Sequence, residues 1–148
     1  MNWIEQAKRL FDIEKPEHFT NFTHCDECLE HDQTLLGSTV DDIGLDELGN
    51  PGWDPICFCS EAGKQYYMPA FIRLSLSSVN DEFYFCQLLI HLEYDGENNR
   101  LLQSCSKEQQ QFIADFIAEM IDLYPQQLES NGCADDALRV HQLWSPTA

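Results

Sequence analysis

Nine consecutive residues, Thr23-His24-Cys25-Asp26-Glu27-Cys28-Leu29-Glu30-His31, carry two thiols, two imidazoles and three carboxylates. Thiolate sulfur and imidazole nitrogen are the donors Zn²⁺ prefers, so His24, Cys25, Cys28 and His31 form a candidate metal set. Cys-x-x-Cys alone is a weak signal. A histidine immediately before it and another three residues after it strengthen the signal, and no second Cys-x-x-Cys is present.

Helical periodicity limits what these residues can do together. His24, Cys28 and His31 fall at i, i+4 and i+7 on one helix face, with Cys25 about 100° away from His24. One straight helix rarely surrounds an ion, because a tetrahedron needs donors from opposing directions. Either the helix supplies two or three ligands and a distant residue closes the site, or Cys25-x-x-Cys28 forms a turn before the helix starts. Cys57, Cys59, Cys86, His91, Cys105 and His18 are the remote donors available.

The same residues support a redox reading. A cysteine in the first turn of a helix feels the positive end of the helix dipole, which favours its thiolate. Against this, no convincing strand precedes His24 as in thioredoxin-like βαβ units, and Asp26 and Glu27 would oppose a thiolate. A third reading is structural, with buried cysteines acting as small hydrophobes and acidic residues complementing the helix start.

The elements that must position this segment read as helices. Trp3, Ile4, Ala7, Leu10 and Phe11 share helical spacing over 3–13, and Pro16 closes that stretch. Thr23 and Asp26 have capping-box spacing, which predicts a helix from His24 to about Leu36 with Gly37 as its stop. A short helix fits Val40–Leu48, and Gly49-Asn50-Pro51-Gly52 is a strong turn. Ile56-Cys57-Phe58-Cys59 reads as a short strand or a buried connector. A helix starting at Ser60 or Glu61 places Tyr67, Phe71 and Leu74 on one face, with Pro69 as a kink or a restart. Phe85, Leu88, Leu89 and Leu92 repeat helically. Ser106 and Gln109 form a capping box before the stripe Phe112, Ile113, Phe116, Ile117, Met120, Ile121 and Tyr124. A last helix covers about 135–144. The expectation is an all-α single domain over 1–148, of five to seven helices, with one short strand allowed near 56–59.

Composition excludes some functions. The chain has 148 residues and is 43% hydrophobic, enough for a real core and against wholesale disorder. Its 26 acidic against 8 basic side chains give a formal charge of −18. Such a surface repels phosphate backbones and anionic lipid, so neither nucleic acid nor membrane is expected as a partner, whereas a basic protein is. An immunity-type protein that neutralises a basic toxin is conceivable on charge alone. The N-terminal stretch is amphipathic rather than a signal peptide, and no apolar run approaches the ~20 residues needed to span a bilayer. We therefore expect a cytoplasmic protein whose seven cysteines are reduced or metal-bound.

Other candidates read as structural. His91 between Ile90 and Leu92 fits a hydrogen-bonded core histidine, and Arg73 among apolar residues fits an ion pair with a carboxylate. Asp41, Asp42, Asp46 and Glu47 lack the alternation and turn glycine of an EF-hand loop. No Gly-x-Ser-x-Gly, P-loop or dinucleotide fingerprint occurs.

The segments Pro16-Glu17-His18-Phe19-Thr20, His24-Cys25-x-Glu27-Cys28-x-Glu30-His31-Asp32-x-Thr34-Leu35, Gly49-Asn50-Pro51-Gly52-Trp53-Asp54-Pro55 and Tyr66-Tyr67-Met68-Pro69-Ala70-Phe71 resemble the signature of small bacterial proteins grouped as a domain of unknown function. The resemblance covers most of the chain and implies a compact intracellular helical domain with the Cys/His segment near its front. It implies no activity. The expected function is a non-enzymatic, zinc-binding protein-interaction domain using residues 24–31. The alternative is an enzyme, either a thiol redox protein using Cys25 and Cys28 or a metal hydrolase with an open coordination position.

Overall fold

The computed structural model describes residues 2–146. Among these residues all regular structure is helical, and no helix is long and apolar enough to cross a membrane. The chain groups into two compact units, 2–74 and 75–146, and the division falls inside one helix, Glu61–Ser77.

The first unit holds α1 (Trp3–Leu10), α2 (Asp26–Leu36), α3 (Leu45–Leu48), two 3₁₀ turns (Pro51–Trp53 and Pro55–Phe58) and most of α4 (Glu61–Ser77). Asn2 caps α1 by accepting from Glu5 N–H. The apolar run 56–59 is therefore a connector and not a strand. Asp54 accepts from Ile56 N–H, and Pro55 supplies a first turn that needs no donor of its own. Pro69 sits inside a continuous α4.

Polar side chains tie α2 to its surroundings at three levels. At its C-terminal end, Lys15 Nζ donates to the carbonyls of Leu36 and Ser38, each at 2.8 Å. Tyr67 Oη donates to the carbonyls of Leu35 (2.5 Å) and Ser38 (3.0 Å). These donors satisfy carbonyls that a helix end leaves open, and Lys15 places positive charge at the negative end of the dipole. In the middle, Asp32 is 2% exposed and accepts from Phe19 N–H (2.6 Å) and Thr20 N–H (3.1 Å), with His18 Nδ1 at 2.7 Å. Near the start, Thr20 Oγ1 donates to Cys28 O at 2.7 Å.

Phe19, fully buried, packs beside Tyr67 and against α4 at Gly63. A Cβ at Gly63 would lie 2.7 Å from Phe19 Cδ1 and 2.5 Å from Cys59 Sγ, so only glycine permits this approach. Arg73 donates to the carbonyls of Val40 (3.0 Å) and Ile43 (2.6 Å) in the loop before α3, and the carboxylate expected beside it enters only through charge, as a minor contribution to the lowered Asp41.

The second unit contains α5 (Tyr84–Glu93), a 3₁₀ turn (Gly96–Asn98), α6 (Arg100–Ser104), α7 (Lys107–Leu123), α8 (Pro125–Ser130) and α9 (Ala134–Trp144). The Ser106–Gln109 capping box forms as its spacing requires. The stripe on α7 buries Phe112, Ile113, Phe116, Ile117 and Met120, and α9 packs on both α7 and α5. Trp144 is fully buried and donates its Nε1–H to Leu92 O at 2.9 Å. Arg139 makes two 2.7 Å bonds to the Glu93 carboxylate and also contacts Asp136.

The described residues thus contain nine α-helices where five to seven were expected. The excess lies in α6 and α8, of five and six residues, whereas α3 (Leu45–Leu48) falls inside the short helix expected over Val40–Leu48. Segments that short carry too few turns for an apolar period to show. A second correction concerns the thiols. Cys86 and Cys133 form a disulfide, so the seven cysteines are not all reduced or metal-bound.

Candidate metal and thiol centre

The candidate centre is built by the chain's entry into α2. Thr23 does not cap the helix; its hydroxyl bonds Asn21 Oδ1, and His24 N–H closes a turn onto Asn21 O. Cys25 is fully extended (φ −164°, ψ 171°) and is itself the N-cap, its Sγ accepting from Cys28 N–H at 3.4 Å. The helix therefore begins two residues later than Thr23–Asp26 spacing suggests. The alternative in which Cys25-x-x-Cys28 forms a turn before the helix is met only in part: Cys25 precedes α2 as its N-cap, while Cys28 lies in the first helical turn.

This entry brings three of the four expected ligands together. A ring nitrogen of His24, Cys25 Sγ and Cys28 Sγ all lie within 4.8 Å of one another, a group that could hold a metal ion. The two sulfurs are 3.3 Å apart, and Cys28 Sγ is 3.6 Å from His24 Nδ1. His24 and Cys25 are exposed, while Cys28 is 5% exposed.

His31 lies outside this group. It is 1% exposed, its Nε2 is 3.2 Å from Glu27 Oε2, and its ring packs beside Trp53 and Phe58 with centroids 4.7 and 5.1 Å away. The i, i+4, i+7 face expected for His24, Cys28 and His31 does not form, because His24 precedes the helix. Of the remote donors in the same unit, His18 is engaged with Asp32, and burial pushes the Cys59 thiol up to about 12. In the other unit Cys86 is committed to its disulfide, and burial pushes Cys105 up to about 12.

The two thiols are electrostatically unlike. The Cys28 N–H bond, followed by hydrogen bonds from His24 and the Cys28 side chain, brings Cys25 down to about 7. Cys28 is raised, first by its hydrogen bond with Cys25, then by burial, and then by the negative charges of Cys25 and Glu27. Of the two carboxylates expected to oppose a thiolate, Glu27 does so at Cys28, as the smallest of its causes, whereas at Cys25 the hydrogen bonds from backbone N–H groups prevail.

Asp32 is the residue that reading for ligands passed over. Burial pushes its carboxyl up, but hydrogen bonds from His18, Phe19 N–H and Thr20 N–H outweigh that and hold it below its ordinary value. Its spacing four residues after Cys28 was the available signal, since it fixes the turn of helix beneath the thiol. No protein-family model, curated protein or solved structure matches the chain.

Proposed function

We propose that His24, Cys25 and Cys28 bind Zn²⁺ as a three-donor site in a domain that works by contacting another protein. The observation that carries this reading is the convergence of one imidazole nitrogen and two sulfurs at the entrance of α2. With bonds of ~2.3 Å to sulfur and ~2.05 Å to nitrogen, a tetrahedral ion has an S···S edge of ~3.8 Å and an S···N edge of ~3.6 Å. The 3.6 Å separation of Cys28 Sγ and His24 Nδ1 fits as it stands. The 3.3 Å sulfur pair needs to open by about 0.5 Å, a small rotation of exposed Cys25. Two thiolates cancel the charge of the ion, and the fourth position is left to water or to a side chain of the partner. The formal charge of −18 favours a basic partner surface, and association with it should slow as ionic strength rises.

Elemental analysis of protein purified under reducing conditions without chelator tests the metal. Near one zinc per chain is expected, lost in Cys28→Ser and weakened in His24→Ala, but retained in His31→Gln, since His31 lies outside the donor group. Substoichiometric metal in the wild type, or equal loss in His31→Gln and His24→Ala, refutes the assignment.

A further inference from the structure

We infer that Cys25 and Cys28 also form a thiol–disulfide exchange centre, in which Cys25 attacks a low-molecular-weight disulfide and Cys28 resolves the adduct. The exchange itself needs no ion. Only its effect on bound metal rests on the reading proposed above.

Three observations carry it. Cys25 is exposed, as an attacking sulfur must be to reach a disulfide along its S–S axis, whereas Cys28 is 5% exposed and shielded from a reagent of that size. The two sulfurs are 3.3 Å apart, about 1.2 Å from bonding distance, and Cys25 lies just before α2, outside its helical hydrogen-bond ladder. Finally, α2 is held from behind by Asp32 and by Thr20 on Cys28 O, so the resolving thiol stays in place while Cys25 moves. Of the other described cysteines, Cys59 and Cys105 are buried, and Cys86 and Cys133 are bonded to each other.

Cys25 thiolate displaces one thiolate from the small disulfide RSSR, leaving Cys25–S–S–R. Cys28 gives up its proton to solvent or to His24 and attacks Cys25 Sγ, breaking the mixed disulfide and expelling the second thiolate. The dithiol is oxidised, the reagent is reduced to two RSH, and a bound divalent ion is released because both of its sulfur ligands are consumed.

Oxidised glutathione is a suitable probe, used on the full chain in a Cys57→Ser background so that the other exposed thiol cannot react. The expected result is two glutathione thiols released per chain, with peptide mapping finding a Cys25–Cys28 disulfide separate from Cys86–Cys133. Cys28→Ser should stop at a glutathione adduct on Cys25, and Cys25→Ser should react roughly tenfold more slowly or worse. Preloading with zinc should slow the reaction and release one ion per disulfide formed. Closure without any zinc binding sinks the metal reading and leaves the exchange standing. Zinc binding without closure, or an adduct persisting on wild-type Cys25, overturns the exchange.

Discussion

The environment of Cys25 predicts the shape of its rate profile, not only its direction. In metal-free protein the Cys28 N–H bond and its neighbours place the thiol at about 7. At pH 7 about half of Cys25 is thiolate, against roughly 3% of an unperturbed thiol with a pKa of ~8.5. Per thiolate, however, a drop of ~1.5 pK units costs about fivefold in attack on a disulfide, given a Brønsted slope of ~0.45. Multiplying the two, Cys25 should react about threefold faster than an unperturbed thiol at pH 7 and roughly sixfold faster at pH 6. At pH 9 it should be about fourfold slower. Stopped-flow reaction with a small aromatic disulfide across pH 5–10, with Cys25→Ser as background, measures the curve. A midpoint at 8.5 or above, or a Cys25 curve that never falls below the reference at high pH, refutes the idea that the N-cap bonds stabilise this thiolate.

Asp32 and the Cys86–Cys133 disulfide bear on stability. Asp32→Ala leaves the buried N–H groups of Phe19 and Thr20 without their acceptor and should cost about 3–5 kcal/mol, while Asp32→Asn keeps the oxygen and should cost about 1–2 kcal/mol in urea denaturation. Because the native Asp32 pKa is depressed, its contribution is present above the ordinary 3.8 and lost as pH falls through the lower native value; equal costs for the two variants at pH 7 contradict this account. Reducing Cys86–Cys133, separated by 47 residues, should lower stability by about 4 kcal/mol on the chain-entropy account, so identical urea midpoints with and without reductant count against it.

The longer helices were legible because their chemistry is local. The Ser106–Gln109 box closes within a single turn and the apolar stripe on α7 repeats within one helix, and both are realised, the stripe from Phe112 to Met120. The start of α2 was not legible, since Thr23–Asp26 and Cys25–Cys28 have the same spacing and hydroxyls are the commoner caps. What selects Cys25 is tertiary. Asp32 and Thr20 hold the segment 18–20 alongside α2, so the chain spends 21–25 turning back to reach its N-terminus. The differing fates of His24 and His31 have the same origin, because Trp53 and Phe58 arrive from a part of the chain that spacing within 24–31 does not contain. The Cys86–Cys133 pairing was equally hidden, as composition does not reveal connectivity.

Cys25 uses one set of lone pairs for two purposes. The sulfur that closes the first turn of α2 is also the sulfur offered to an ion or a disulfide. Helix fraying and sulfur chemistry are therefore linked equilibria: what draws density from the sulfur loosens the first turn, and what loosens the first turn makes the sulfur more basic and more protonated. Lys15 and Tyr67 grip the opposite end of the 11-residue helix, so the disturbance is confined to one tip of an otherwise fixed rod. A protein docking on that tip would sense the chemical state of Cys25 through the order of three or four backbone amides, without touching the sulfur at all.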